Sequence, residues 1–343
     1  MRRSTRSGTV PAGVEDPPGL ARWDGILNIH KPAGWTSHDV VAKLRGILKG
    51  PRVGHAGTLD PAATGVLPVL VGRATRIAAY LMDWEKEYRA VLRIGETTDT
   101  QDATGMLLQQ QSIEGLSEES IRQTVAQFQG RIAQVPPMYS AVKVKGVPLY
   151  KAARAGRTVD RGPRQVVVHK IEVEGVAGCD VMLRVVCSKG TYVRTLCADI
   201  GEALGVGGHL LSLHRTRVGP LLVEGALTIE EVISKASRGS LAGEFITLDL
   251  ALEAFPALFV DQLTASRVLH GVTVPPRAAR WEAGAEPTFP GQTVRLKDAE
   301  GRLLALGRIA GEGPGTDHPA EWWQQEPVKI LKVLADVEGA QEN

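Results

Sequence analysis

Three shortages in the 343-residue sequence exclude several classes of protein at the outset. Its only cysteines, Cys179, Cys187 and Cys197, lack Cys-x-x-Cys spacing and are odd in number, so they predict neither a disulfide framework nor a zinc site. No apolar run approaches the roughly 20 residues of a membrane-spanning helix, and residues 1–19 lack the apolar segment of a secretory signal. We therefore expect reduced thiols, no metal site, no membrane association and a cytoplasmic location.

The sequence also lacks a large excess of either positive or negative residues, since 40 basic and 38 acidic residues leave a net charge of only +2. Nucleic-acid binding must therefore be argued from where the charges lie. One segment is strongly basic and carries a single acid, Asp160; its basic residues are Lys143, Lys145, Lys151, Arg154, Arg157, Arg161 and Arg164. Neighbouring Tyr139 and Tyr150 make an RNA-binding projection a better interpretation than an acidic protein partner, although such a run can also be a solvated face.

The sequence GHAGTLDPAATGVLPV, residues 54–69, places one carboxylate, Asp60, among small, turn-forming and apolar residues. Pro61 favours extended backbone at Asp60, and glycines such as Gly57 allow close approach of a ligand. The apolar run that follows predicts a buried strand and then a helix, which would put Asp60 at the mouth of a core. Asp60 could instead merely cap its own turn.

Periodicity predicts a mixture of strands and helices rather than a regular alternation. Predicted strands cover residues 25–30, 88–94, 165–173 and 181–187, and predicted helices follow Ser37, Ser117, Thr191 and Thr228. In the strand at 88–94, Tyr88 shares a face with apolar residues and therefore points toward the core. Beyond residue 255 short strands at 257–260, 292–298, 302–309 and 328–334 predict a small β-barrel. Basic residues there, Arg295, Lys297, Arg302 and Arg308, could bind phosphate or be ordinary strand charges.

Five blocks of sequence, in order along the chain, resemble the TruB family of tRNA pseudouridine synthases. They are GILNIHKPAGWTSHDVV (25–41), GHAGTLDPAATGVLPVLVGRATR (54–76), EKEYRAVLRIGETTDTQDATG (85–105), VPPMYSAVKVKGVPLYKAAR (135–154) and SKGTYVRTLCADIG (188–201). The resemblance implies an α+β pseudouridine synthase fold: a central, mostly antiparallel mixed sheet flanked by helices. It implies a catalytic domain at 24–255 with a thumb insertion at about 135–165, and a PUA-like RNA-binding β-barrel at 256–336. Residues 1–23 and 337–343 would be tails.

The resemblance also implies a chemistry, the conversion of uridine 55 in the T-loop of tRNA to pseudouridine. This isomerisation neither gains nor loses atoms, so no cofactor is expected. Asp60 would be the catalytic carboxylate, Arg194 its cationic partner and Tyr88 the aromatic residue that stacks on the flipped base. Arg194 could alternatively be a solvated helix residue. Expected substrate-binding residues are His55, Lys31, Tyr192, Lys143, Lys145, Lys151 and Arg154.

The long thumb and the GVLPV ending are more similar to the bacterial stand-alone enzymes than to their guide-RNA-dependent relatives. The resemblance thus implies a monomer that binds the tRNA T stem-loop with no obligate protein partner or guide RNA. Two other functions stay open from the residues alone. A base-acting glycosylase would need a second acid, for which Asp99 or Asp102 are candidates, although their polar loop favours a surface role. A non-catalytic RNA chaperone would not need Asp60.

Overall fold

The computed structural model of the protein describes residues 23–140, 142–144, 146–154, 156–157, 159–275, 278–281, 289–311 and 326–336. The expected tails, apart from Trp23, lie outside these residues. A nine-stranded sheet forms the centre of the described structure. Its strands are β1 (Gly25–Lys31), β2 (Val53–His55), β3 (Thr64–Val71), β4 (Lys86–Ile94), β7 (Gly130–Gln134), β10 (Arg164–Ala177), β11 (Asp180–Cys187), β12 (Gly208–Val218) and β13 (Leu221–Leu222).

The main path of this sheet runs in the order β1, β3, β12, β4, β11, β10, β7, with β2 and β13 paired at its side. All pairings are antiparallel except the short parallel contact between β3 and β12. The predicted mostly antiparallel mixed sheet is therefore confirmed. β12 lies between β3 and β4, and its Arg215 pairs with Gly65 on one side and with Tyr88 on the other.

Helices flank the sheet, and several begin at the predicted caps. They are α1 (Ser37–Leu48), α2 (Ala78–Met82), α3 (Glu118–Ala126), α5 (Val193–Ala203), α6 (Ile229–Ser237) and α7 (Leu248–Ala251). Thr228 caps α6 in a capping box with Glu231, as predicted. The cap of α1 is Thr36 rather than Ser37, because Asp39 completes a capping box with Thr36. No helix in the described ranges has the length and hydropathy needed to cross a membrane.

Strand β4 alternates between buried and more exposed positions along its whole length. Tyr88, Ala90, Leu92 and Ile94 are all buried and belong to one hydrophobic cluster with residues of α5 and β11. The predicted orientation of Tyr88 is therefore confirmed. The helix side of this cluster is Val193, Leu196, Cys197 and Ile200, so the same packing fixes the first turn of α5 over the strand that carries Tyr88.

Two small hairpins lie outside the main sheet. One joins β5 (Glu96–Thr98) to β6 (Leu107–Gln110), and the loop between them contains Asp102. The other lies within the predicted thumb and joins β8 (Lys143–Val144) to β9 (Val147–Pro148), which leads into α4 (Leu149–Arg154). The basic segment is thus a projection built from a hairpin and a short helix.

The C-terminal strands form a separate five-stranded sheet in the order β15, β14, β16, β17, β18. The elements are β14 (Ala257–Val260), α8 (Gln262–Leu269), β15 (Ala279–Trp281), β16 (Thr293–Lys297), β17 (Leu303–Ile309) and β18 (Val328–Val333). The predicted run of short strands beyond residue 255 is therefore confirmed, and within the described residues these strands form an open sheet. At one edge, Val328 of β18 also bridges Val274, which lies outside the named strands.

Two of the predicted phosphate-binding residues of this sheet have a different role. Arg295 is buried and donates to Asp249 Oδ1 at 2.7 Å and to the carbonyl of Phe255 at 2.9 Å. Lys297 Nζ lies 2.7 Å from Asp249 Oδ2. Because both cations are already paired with the acid on α7, they join the C-terminal sheet to α7 rather than offering free charge to RNA. A phosphate-binding role for these two residues is therefore wrong.

Candidate active site

The loop between β2 and β3 presents Asp60 and is anchored on both sides of that residue. Ser37 Oγ accepts a hydrogen bond from the Leu59 amide at 2.9 Å and donates to the Leu59 carbonyl at 3.2 Å. The Lys31 ammonium donates to the Pro61 carbonyl at 3.1 Å. The Asp60 carbonyl itself accepts from the Ala63 amide at 3.1 Å. These contacts leave the backbone around Asp60 with little freedom, so its carboxylate is held in one direction.

Asp60 and Arg194 form a two-point ion pair. Arg194 Nε lies 2.9 Å from Asp60 Oδ2, and Arg194 Nη2 lies 3.3 Å from Asp60 Oδ1. The arginine side chain is 5% exposed, whereas the aspartate side chain is 42% exposed. The alternative interpretation of Arg194 as a solvated helix residue is therefore wrong. The pair sets a buried, fixed cation behind a carboxylate whose outer side can still be reached from solvent.

The remaining donors of Arg194 bind groups from two other parts of the chain. Nη2 donates to the Tyr139 carbonyl at 2.8 Å, and Nη1 donates to the Thr100 carbonyl at 3.3 Å. A second carboxylate, Asp102, lies 3.5 Å from Nη1. Arg194 is therefore shared between two acids and two carbonyls, which fixes the orientation of its guanidinium plane.

Burial and the neighbouring charges act on the pKa of Asp60 in opposite directions. Burial raises the pKa of Asp60 above its ordinary value, and this is the largest influence. The Arg194 charge and hydrogen bond lower that pKa, while nearby Asp102 raises it again. Arg194 thus offsets only part of the cost of burial. The carboxylate is more basic than a free aspartate, a property suited to a group that must take a proton or attack carbon.

Tyr88 contributes an aromatic ring to the same region. It is 8% exposed and lies in the sheet on β4, and burial raises the pKa of its phenol. Arg215 opposes that rise through its charge and as a hydrogen-bond donor, and the Asp60 charge also acts on the phenol. Asp60 is thus close enough to act on Tyr88 by charge, while Arg194 binds Asp60 directly.

Comparison with known proteins identifies the family of the chain. Residues 45–193 match "TruB family pseudouridylate synthase (N terminal domain)", and residues 194–249 match "tRNA pseudouridylate synthase B C-terminal domain". A tRNA pseudouridine synthase B from Thermobifida fusca (strain YX) is 45% identical over 294 residues, which are 82% of this chain and 94% of the relative. One from Burkholderia mallei (strain ATCC 23344) is 42% identical over 303 residues, 88% of this chain and 95% of the relative. The chain belongs to the TruB family of pseudouridine synthases.

Solved structures carry the same fold. A Cbf5-Nop10-Gar1 complex contains a chain that is 29% identical, with a TM-score of 0.69 over 93% of this chain and 87% of that one. The archaeal box H/ACA sRNP Nop10-Cbf5 complex contains one that is 27% identical, with a TM-score of 0.70 over 96% of this chain and 92% of that one. The pseudouridine synthase fold expected from the sequence is therefore confirmed.

The other predicted residues of this TruB-family site lie around Asp60 in different ways. Lys31 is fully buried, donates to the carbonyls of Pro32, Trp35 and Pro61, and has its pKa lowered to about 8 by burial. Its ammonium group therefore holds the backbone of the loop that carries Asp60. Tyr192 is the N-cap of α5, two residues before Arg194, and its backbone amide and carbonyl form two hydrogen bonds with the side chain of Gln134.

His55 is the one predicted residue with an unsatisfied polar atom. Its Nδ1 is buried and has no hydrogen-bond partner within the described residues. Burial lowers the pKa of His55, and the charge of Arg215 lowers it further. A neutral imidazole with an unused nitrogen can bind a polar group of a ligand, as the predicted contact with loop bases requires.

The predicted thumb residues are described only in part. Lys143 lies on β8, Lys151 and Arg154 lie on α4, and Lys145 falls outside the described residues. Lys151 is exposed, as a phosphate contact requires. Arg161, near the end of the basic segment, donates to the Pro136 carbonyl at 3.1 Å. This cation therefore links the last part of the predicted thumb to its first residues.

Sequence analysis missed two residues of the site, Asp102 and Arg215. Asp102 was interpreted as more typical of a surface loop, but it is close to Arg194 and accepts hydrogen bonds from Thr100 and Thr104. The density of Asp and Thr in residues 97–104 was the available signal. Arg215 gave no signal, because its role depends on strand register rather than on a local motif.

Proposed function

We propose that this chain converts uridine 55 in the T-loop of tRNA to pseudouridine, with Asp60 as the catalytic carboxylate. The observation that carries the proposal is the geometry of Asp60, whose two oxygens face a buried guanidinium while 42% of its side chain stays exposed. This exposure leaves a carboxylate that a substrate can reach, held by a cation that solvent cannot. The relatives named tRNA pseudouridine synthase B support tRNA as the substrate.

The chemistry is an isomerisation within one nucleotide. The N1–C1′ bond breaks, the uracil rotates, and a C5–C1′ bond forms, while C5 loses a proton and N1 gains one. Atoms and electrons balance without an oxidant or a second substrate. The Asp60 carboxylate either adds to the base or the sugar, or removes the C2′ proton. In each case it must be ionised, and Arg194 favours that state by opposing the effect of burial.

The uridine reaches Asp60 only after leaving the stacked loop of the RNA. Flipping a base costs a few kcal/mol, which contacts in the pocket must offset. In this proposal Tyr88 would stack on the flipped ring, and His55 would bind a neighbouring base through Nδ1, which has no hydrogen-bond partner in the described residues. Outside the pocket, the thumb with exposed Lys151 would bind the phosphates of the T stem. These contacts recognise the shape of the T-arm more than its sequence.

The same proposal holds that the chain acts without a guide RNA or protein partner. The solved structures it resembles are described as complexes with other proteins. The basic thumb of this chain, however, supplies a substrate-binding element of its own. The purified chain alone should therefore modify an unmodified tRNA transcript.

The test compares Asp60→Asn with the wild type and with Asp83→Asn, a matched change at an exposed aspartate paired with Lys189. Each protein is incubated with the transcript, and pseudouridines are mapped along the RNA. We expect the wild type and Asp83→Asn to form pseudouridine at position 55, and Asp60→Asn to bind the tRNA without forming any.

Three results would contradict the proposal. Pseudouridine formed by Asp60→Asn would remove the carboxylate from the mechanism. Pseudouridine at another position with the T-loop untouched would refute the substrate assignment. Free uracil and an abasic nucleotide in place of pseudouridine would identify a glycosylase.

A further inference from the structure

Arg215 is a buried cation that the reaction described above does not use. It lies on β12 and is 1% exposed, the largest of the fully buried side chains described. In the part of the chain that the structure describes, its guanidinium forms no salt bridge with a carboxylate. Burial of an arginine without an acidic partner is costly. A contribution to function is therefore a reasonable explanation for its presence.

The guanidinium joins the two ends of the loop that carries Asp60. Arg215 Nε donates to the Val66 carbonyl at 2.7 Å, and Nη2 donates to the Gly57 carbonyl at 3.1 Å. Gly57 lies three residues before Asp60, and Val66 lies six residues after it. A single planar side chain thus fixes the entry and the exit of the loop relative to each other.

The backbone of Arg215 fits against the same loop. Its partner across the parallel pairing is Gly65, which has a φ of 103°. A Cβ at position 65 would lie 2.2 Å from the Arg215 carbonyl oxygen, so only glycine permits this approach. The close approach keeps the Asp60 loop at a fixed distance from β12.

On its other side, Arg215 reaches Tyr88. The two residues are direct partners in the antiparallel pairing of β12 with β4, and such partners project from the same face of a sheet. The positive charge of Arg215 also lowers the pKa of the phenol, in opposition to burial. Other charged or titratable groups lie near Arg215 or Tyr88, namely Lys31, His55, Asp60, Lys86 and Cys187.

We propose that Arg215 is a positioning residue for the isomerisation, which holds the Asp60 loop and the Tyr88 ring in register around the flipped uridine. It touches neither the base nor the sugar. Its contribution is to fix the distance between a carboxylate on a loop and an aromatic ring on a strand. This inference rests on the proposed function, because the register matters only if both groups act on one nucleotide.

The test measures single-turnover rates of pseudouridine formation and, separately, tRNA affinity for Arg215→Met and Arg215→Lys. A misplacement of about 1 Å at a reacting group typically costs up to roughly 100-fold in rate. We expect Arg215→Met to lose roughly 10- to 100-fold in rate while it binds tRNA as tightly as the wild type. Arg215→Lys should fall between the two, because one ammonium group keeps the charge but cannot reach both carbonyls and the phenol.

The matched control is Arg217→Met, two residues along the same strand. Arg217 is partly exposed and lies 3.5 Å from Glu87 and 3.9 Å from Glu85, so its removal disturbs an ion-pair cluster but not the loop. Melting temperatures of all variants show whether they remain folded. If Arg215→Met does not fold, Arg215→Lys carries the test alone, with a reduced rate at unchanged affinity and melting temperature as the expected result.

Two outcomes would overturn the inference. One is an Arg215 variant whose rate equals that of Arg217→Met, and the other is a loss confined to tRNA affinity. The wild-type reaction in the same assay separates this failure from a failure of the proposed function. A wild type that forms no pseudouridine rejects both, whereas an active wild type with an equally active Arg215→Lys rejects only the role of Arg215.

Discussion

Replacement of Arg194 by methionine tests how the site keeps Asp60 reactive. Methionine has a similar length and stays compatible with a buried position, but it supplies neither charge nor hydrogen bonds. The change removes the 2.9 and 3.3 Å contacts to Asp60 and the 3.5 Å contact to Asp102. Two carboxylates would then lie near each other with no cation between them.

The magnitude follows from the contacts that are lost. Loss of one fixed donor from a reacting group typically lowers the rate by roughly 10² to 10³, or about 2.7 to 4 kcal/mol of activation free energy. A neighbouring cation typically lowers the pKa of a carboxyl group by about 1 to 3 units. Because Asp60 is 42% exposed, solvent screens part of this effect, and we expect a rise in pKa at the low end of that range.

The direction of the pH effect follows from the state in which Asp60 reacts. The carboxylate form is present above the pKa of Asp60, and activity is lost as the pH falls through that value. Burial already raises this pKa, and the loss of Arg194 raises it further. The acidic limb of the rate profile should therefore move to higher pH in Arg194→Met, with a lower plateau.

The assay uses a tRNA transcript with tritium at C5 of its uridines, because formation of the C5–C1′ bond releases the C5 hydrogen to water. Release is followed under single-turnover conditions between about pH 5 and pH 9, a range that brackets a raised carboxylate pKa. Arg89→Met is the control, since this arginine lies on β4 but its side chain is 67% exposed. A plateau equal to that of the control, or an acidic limb at the wild-type pH, would refute the reasoning.

Two further variants test the supports of the site. Asp102→Asn removes the second acid beside Arg194, and the single-turnover rate should fall because the guanidinium loses one of its fixed partners. The pKa of Asp60 should also fall, because a nearby negative charge is gone. An acidic limb of the rate profile that moves to higher pH would contradict this. Gly65→Ala should lower the free energy of unfolding by about 1 to 3 kcal/mol in denaturant titrations, because the new Cβ would meet the Arg215 carbonyl. Gly115→Ala is its control, with a φ of 89° but open space around the added Cβ, and equal losses in the two variants would show that backbone strain alone is responsible.

Much of the fold could be predicted because it depends on short-range patterns. The alternation of β4 gave the direction of Tyr88, and the capping box at Thr228 gave the start of α6. Errors occurred where two local signals compete. Ser37 and Thr36 are both good caps, and Asp39 decides in favour of Thr36, which leaves Ser37 to bind the backbone of Leu59.

The residues of the candidate site likewise divide into those with a signal in the local sequence and those without one. Asp60, Tyr88 and Arg194 come from motifs whose family resemblance is visible in the sequence, and their roles remain predictions. The position of Asp102 depends on how the loop between β5 and β6 folds over α5, and no local pattern specifies that. Arg295 shows the opposite error, because a basic residue on a predicted strand suggested phosphate binding until its pairing with Asp249 was seen.

Arg194 and Arg215 are both buried cations, but the groups that accept their hydrogen bonds differ. Arg194 is paired with carboxylates, so its charge acts on Asp60 and influences when that group is ionised. Arg215 is paired with the carbonyls of Gly57 and Val66, so its charge is solvated by the loop that it holds. In the proposed mechanism the first arginine sets the reactivity of Asp60, and the second sets its position. We expect that neither arginine can take the role of the other. The carbonyls around Arg215 do not neutralise its charge, and a carboxylate beside Arg215 would compete with Asp60 for a cation.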